Sequence, residues 1–360
     1  MEIATEPGRE IMNDPVAFIH WWPVPHVLRS LSAVAPRDLR WEGGMGKGMK
    51  MCEHPQTRVC MLALYLFYIL GAGLNAGAAE SRFEKLSEHC YTLQDGTGVA
   101  AVITEDGVLL VNPPEEPGVT TAVDALRRLT QKPVRWMVAT DYRFALSKGA
   151  AYFGERGAVL LTSKEQAEVL SSLPGGNSTP AAVDRLIFGN QVHLFPGGVE
   201  VRIFGVRKRA HTGGDVVVFV PSDKVVAVGD LYTSGSYPDI DRDPGRGDAL
   251  EWIEGMKQVI DSIPLLKPAI TQPKPEIKPE EEKTLEQQVL VFSSYGAPSD
   301  LQQMKDLLSA SQKLRERIEW IVARRRTCES FLSSPEAVEF QNYGNLESYA
   351  TALFSALSAP

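Results

Sequence analysis

The sequence predicts an α+β fold in which two sheets pack together with helices on their outer faces. Apolar runs of strand length recur in two groups, one over 88–112 and one over 192–228, each bounded by turn-forming residues. Each group leads into segments with helical spacing, so the chain reads as two halves of strands followed by helix. With 44% hydrophobic residues in 360, it can also supply the sizeable core that such layers need.

The elements follow in order. Residues 88–112 read as a hairpin or meander, with Val99–Ile103 and Val108–Val111 joined at Glu105-Asp106-Gly107, and Asp-Gly between apolar runs favours a tight hairpin turn. Val119–Leu129 has helical spacing, Val134–Ala139 reads as a buried strand, and Tyr152-Phe153-Gly154 as a turn. A strand at Ala158–Leu161 precedes a helix over Ser163–Ser172, where Ser163 and Gln166 have capping-box spacing. The second half has strands near 192–195, 199–204, 215–220 and 224–228, a turn at Asp223-Lys224, and a helix from Asp248 to Ile263. Residues 264–283 are rich in proline, lysine and glutamate, the composition of an extended surface insertion. Leu301, Met304, Leu307, Leu308, Leu314, Ile318 and Ile321 then recur at helical spacing, as do Leu346, Tyr349, Ala350, Leu353, Phe354 and Leu357. They predict a helical tail over 299–360, packed on a sheet.

Charge narrows the function. The chain has 37 basic and 45 acidic residues, and no basic run is interleaved with aromatics, which argues against nucleic acid as a partner. The N-terminal region divides into an extension at 1–48, outside the mature fold, and a segment at 49–79. There Lys50 and Arg58 precede the apolar run Cys60–Leu74, and Ala76–Ala78 supplies small residues at its exit. That order is a secretory signal peptide, with a retained membrane anchor as the alternative. The protein is thus expected to be exported, periplasmic or extracellular, with 80–360 as its domain. Export would leave Cys90 and Cys328, which an oxidising compartment would allow to pair if the fold brings them together.

The chemistry concentrates in Ala210-His-Thr-Gly-Gly-Asp215 and in Gly229-Asp230, which places a histidine and a carboxylate at the ends of buried strands. Together with Asp106–Val111, Thr140–Phe153 and Gly235–Asp241, these segments resemble the metallo-β-lactamase-fold superfamily, especially an exported subgroup with a helical C-terminal tail. The resemblance spans 88–360 and implies a four-layer αββα sandwich with a metal edge between the sheets. In that superfamily an H-x-H-x-D-H turn, a downstream histidine, a bridging aspartate and a final histidine hold a dinuclear zinc centre, whose bound water is the nucleophile.

Here the turn reads Thr140-Asp-Tyr-Arg-Phe-Ala-Leu146, so Asp141 and Arg143 stand at the first two histidine positions and Ala145 and Leu146 at the next two ligands. His211 and Asp230 are retained, and Tyr295 aligns with the final histidine. The six histidines are His20, His26, His54, His89, His193 and His211, and the first three precede the signal's exit. A standard dinuclear centre is therefore not expected.

Two arrangements remain. In the expected one no metal binds, and the Arg143 guanidinium pairs with Asp141 or Asp230. In the other, Asp141, His211 and Asp230 hold one zinc, iron or manganese ion in a hydrolase for ester, thioester or lactam bonds. The first implies a cleft lined by Tyr142, Arg143, His211, Tyr232, Tyr237 and Tyr295, suited to an anionic or aromatic small molecule or to a protein partner. A third function is a scaffold that dimerises through its tail.

Overall fold

The computed structural model describes residues 81–173, 183–263 and 288–358. The N-terminal extension, the signal or anchor segment and the proline-rich insertion lie outside the described residues.

The first sheet has seven strands in sequence order: β1 (Phe83–Lys85), β2 (Cys90–Leu93), β3 (Ala100–Thr104), β4 (Gly107–Val111), β5 (Val134–Val138), β6 (Val159–Ser163) and β7 (Arg185–Phe188). β1 to β4 form an antiparallel meander, and β4 to β7 run parallel. Parallel neighbours need crossovers. These carry α1 (Gly118–Leu129), α2 (Tyr142–Ala145), α3 (Lys148–Gly154) and α4 (Lys164–Ser172).

The second sheet has six strands, β8 (Gln191–Leu194), β9 (Val201–Gly205), β10 (Val216–Val220), β11 (Val225–Gly229), β12 (Leu290–Ser293) and β13 (Ser299–Asp300), in the reverse spatial order from β13 to β8. Only β11 and β12 pair in parallel in this sheet, and α5 (Ala249–Ser262) lies between them in sequence. The tail is α6 (Leu301–Ala323), α7 (Cys328–Leu332) and α8 (Leu346–Ser358).

Strand residues alternate between layers, as the period of two requires. Leu109 and Val111 of β4 meet Val216, Val218 and Val220 of β10 in a core between the sheets. Val108 and Leu110 point the other way, into a core shared with α1 through Val119, Ala122, Val123 and Leu126. On the far side, Val217 and Phe219 pack with Trp252 and Met256 of α5, Met304, Leu314 and Ile318 of α6, and Tyr349 and Leu353 of α8. Three apolar layers between four structural layers make an αββα sandwich, and the tail helices belong to it. Each fully buried side chain of this size contributes about 1.5–3 kcal/mol of transfer free energy.

Some expectations change. Tyr152, Phe153 and Gly154 end α3 and do not form a free turn. Ser163 caps α4 by accepting from the Gln166 amide, but the Gln166 side chain does not complete the capping box. Its Nε2 instead donates 2.9 Å to the carbonyl of Ala139, tying α4 to the end of β5. Among the described residues Cys90 and Cys328 are free and sit in different cores, Cys90 between the sheets and Cys328 beneath the tail, so they form no disulfide with each other. Among the described residues no helix is long and apolar enough to cross a membrane.

Candidate functional site

The site lies at one rim of the sandwich, where loops leave both sheets. Asn112 follows β4 directly and adopts a left-handed backbone, with φ 55°. Its Oδ1 accepts from the Thr140 backbone N–H at 2.8 Å and from the Thr140 hydroxyl at 2.9 Å. Its Nδ2 donates to the Gly98 carbonyl and the Ser294 hydroxyl, each at 3.4 Å. One buried amide thus ties three rim loops together, and Thr140 is fixed beside Asp141. Asp141 caps α2 by accepting from the Arg143 N–H at 2.8 Å, which aims the Arg143 side chain back over its own cap.

The second sheet supplies the other partners. His211 sits in the loop between β9 and β10, and that loop is closed by Asp215. Asp215 accepts from the Thr212 N–H at 3.0 Å and from the Thr212 hydroxyl at 2.6 Å. Burial pushes the Asp215 carboxyl up to about 6, against the opposing pull of His211 and of these hydrogen bonds. Asp230 follows Gly229, whose φ of 58° suits glycine and where a Cβ would collide with the Thr140 side chain. Asp230 therefore starts its loop pressed against the Asp141 turn.

These elements converge on one nitrogen. Arg143 Nη2 lies 2.9 Å from Asp141 Oδ2, 2.8 Å from His211 Nε2 and 2.5 Å from Asp230 Oδ2, and Nε adds a bond to Asp141 Oδ1 at 3.2 Å. Three acceptors share the two hydrogens of Nη2. His211 Nδ1 lies 2.9 Å from the Asp239 carbonyl, which only accepts, so the neutral ring carries its hydrogen there and leaves Nε2 as the acceptor for Arg143. Burial opposes a charge on this ring, but the Asp215, Asp141 and Asp230 carboxylates and the Asp239 carbonyl outweigh it and hold its pKa above the ordinary value. Protonation at Nε2 would remove the acceptor that Arg143 uses. Burial likewise opposes the guanidinium charge, and Asp141 and Asp230 more than restore it, raising the Arg143 pKa.

Asp141, His211 and Asp230 form a group whose ligand atoms all lie within 4.8 Å of one another. One imidazole nitrogen and two carboxylates suit zinc, iron or manganese as a donor set. The space they enclose is where Arg143 Nη2 lies, and a guanidinium carries a permanent positive charge.

The other expected residues divide. Arg143 and Tyr295 line a cavity of about 260 Å³ together with Gly96, Glu115, Pro117 and Phe144. Tyr142 is buried and donates its hydroxyl to Asp241 Oδ2 at 2.8 Å, so it supports the turn and does not line this cavity. Burial and that carboxylate both push its phenol pKa up. Tyr232 and Tyr237, expected in the cleft, are each 1% exposed and belong to the core under the tail. Tyr237 stacks on Tyr349 at 5.6 Å because the Gly235–Asp241 loop is held from below by α8 and its flanking residues. His89 and His193 stand apart, His89 on Asp223 and His193 3.2 Å from Glu200. Sequence reasoning missed Asn112, Glu115 and Glu116, and it read Gln166 as a capping residue without its bond to Ala139. Only Asn112 had a local signal, an asparagine between an apolar strand and two prolines.

No family model matches the chain. A metallo-β-lactamase type 2 from Elizabethkingia meningoseptica is 28% identical over 181 residues, which is 47% of this chain and 70% of the relative. Among solved structures, the stereoselective inverting sec-alkylsulfatase from Pseudomonas sp. is similar with a TM-score of 0.54 at 10% identity, over 76% of this chain and 50% of that one. A metallo-β-lactamase from Pontibacter korlensis is 18% identical with a TM-score of 0.48, over 64% of this chain and 99% of that one. At these identities the structural likeness is one of fold. The sequence relative and the shared architecture agree on the fold: the chain has a metallo-β-lactamase-like αββα fold.

Proposed function

We propose that this is an exported, non-hydrolytic protein of the superfamily, in which Arg143 does electrostatically what a metal would do and the cleft above it binds a small molecule or a partner. The observation that carries this is the contact of one guanidinium nitrogen with Asp141, His211 and Asp230 at 2.5 to 2.9 Å. A dication beside that nitrogen would meet like charge at contact distance, and in a partly buried site such repulsion is weakly screened. The guanidinium also keeps two buried carboxylates from being unpaired, which otherwise destabilises a fold. Export rests on the basic, apolar and small-residue order of 49–79.

The test is elemental analysis of protein purified without chelators and then dialysed against zinc, iron or manganese. Substoichiometric metal, unchanged in Asp230→Ala, is expected. A second reading has a specific observation in its favour, the three ligand atoms within 4.8 Å of one another. It is a hydrolase with one metal at Asp141, His211 and Asp230. Near-stoichiometric metal that disappears in Asp230→Ala would replace the first reading with this one. N-terminal sequencing of the mature protein tests export, with a start near residue 80 as the expected outcome.

A further inference from the structure

The cavity above Arg143 has a charge pattern opposite to what an arginine at its floor suggests. Arg143 is 36% exposed at its side chain and lines the space, but Asp141 and Asp230 already more than neutralise it. Asp230 keeps a further buried oxygen, Oδ1, with no protein partner among the described residues. Glu115 and Glu116 line the same cavity from the loop before α1, and both are exposed. Two carboxylates paired with Arg143 and two more on the cavity wall therefore accompany one guanidinium. The N-terminus of α1 adds about half a positive charge, which does not offset the excess.

The remaining wall is apolar and aromatic. Phe144 is buried, Pro117 is exposed, and Tyr295 is 54% exposed, an unusual state for a large aromatic. The Tyr295 phenol pKa is raised by burial first, then by Asp230, Asp141 and Glu115 against Arg143, so the field of these groups converges on that ring. Arg143 Nη1 makes no hydrogen bond to a described residue, leaving N–H donors for an acceptor.

We infer that this cleft takes a small organic cation with an apolar or aromatic body and a carbonyl group, such as an amino-acid amide or a peptide N-terminus, and discriminates against anions. The ammonium would sit by Glu115 and Glu116, the carbonyl on Arg143 Nη1, and the apolar body against Tyr295, Phe144 and Pro117. An aromatic cation also gains from the face of Tyr295. This rests on the metal-free reading of the floor, because a metal there would favour anionic groups.

The experiment uses one body in three charge states. Phenylalaninamide (cation), N-acetylphenylalaninamide (neutral) and N-acetylphenylalanine (anion) are titrated into the full chain by calorimetry and by amide chemical shifts, in neutral buffer at low salt. The cation is expected to bind best, about tenfold or more above the anion, with the preference shrinking as salt rises. Glu115→Gln and Glu116→Gln should each weaken the cation roughly two- to fivefold and leave the neutral probe unchanged. Tyr295→Ala should weaken all three. Any other ranking, no binding at millimolar probe, or a cation preference untouched by both glutamine variants overturns the inference. Metal content measured on the same samples separates the failures. Metal-free protein that prefers the anion sinks the ligand class alone, and a metal-loaded sample sinks the floor reading first.

Discussion

Arg143 Nη2 bonds Asp230 Oδ2 at 2.5 Å although the two residues lie just beyond strands of opposite sheets, Arg143 after β5 and Asp230 after β11. The contact is enforced from both sides. Asp141 folds the Arg143 backbone back through its cap, and Gly229 lets the Asp230 loop approach Thr140.

Arg143→Ala leaves Asp141 and Asp230 without their cation. Breaking a buried pair costs about 3–5 kcal/mol, and the partial exposure of Arg143 discounts that to roughly 2 kcal/mol. The same change opens the space between three ligand atoms. Zinc should therefore raise the melting temperature of Arg143→Ala by several degrees while leaving the parent unmoved, as differential scanning calorimetry with and without zinc would record.

Gly229→Ala should cost about 3 kcal/mol, from the left-handed φ of 58° together with collision against Thr140. Urea titration is expected to show a lower midpoint with an unchanged slope. A cost under about 0.5 kcal/mol would mean that the Asp230 loop is free to move.

Tyr237→Phe and Tyr237→Ala separate a core role from a binding role. The Tyr237 hydroxyl is buried without a hydrogen-bond partner among the described residues, so its removal should change stability by less than about 0.5 kcal/mol or improve it. Truncation to alanine should cost about 3–5 kcal/mol. Neither variant should alter probe affinity in the cleft, measured by the same calorimetry.

Asp223 predicts an acid limb of stability. Burial opposes its charge, but the Ser87 hydroxyl at 2.5 Å, the His89 N–H at 2.7 Å, the His89 ring and Ser222 hold its carboxyl down to about 2. A depressed carboxyl pKa stabilises the fold above the ordinary value near 4, and the contribution is lost as pH falls towards 2. It amounts to about 2 kcal/mol. Unfolding free energy measured between those limits should fall accordingly, and Asp223→Asn should flatten that dependence.

The layers were legible where local signals agreed. Asp106-Gly107 marked the β3–β4 turn, and the continuous apolar runs Val216 to Val220 and Val225 to Val228 marked β10 and β11. The spacing of Met304, Leu314 and Ile318 marked α6. β7 was missed because it is an edge strand. Its Leu186 and Ile187 are 48% and 57% exposed, and its pairing with β6 follows from the crossover, with no local signal of its own. The convergence of Asp141, Arg143, His211 and Asp230 could be anticipated from the motif. The cavity rim could not, since Glu115 and Glu116 look like ordinary loop charges until the fold sets them beside Tyr295. Tyr237 was misplaced for the opposite reason. Its motif sits near the site in sequence, but its ring turns under the tail.

Asp141 and Arg143 are two positions apart on one capped turn, whereas His211 and Asp230 are held by backbone features of the other sheet that do not involve residue 143. The occupant of the rim and its frame are thus separable. On the metal-free reading proposed above, one substitution at 143 would exchange a built-in cation for an acquired one with the frame left in place, which would make a recognition cleft and a metal centre adjacent points in sequence space on this scaffold.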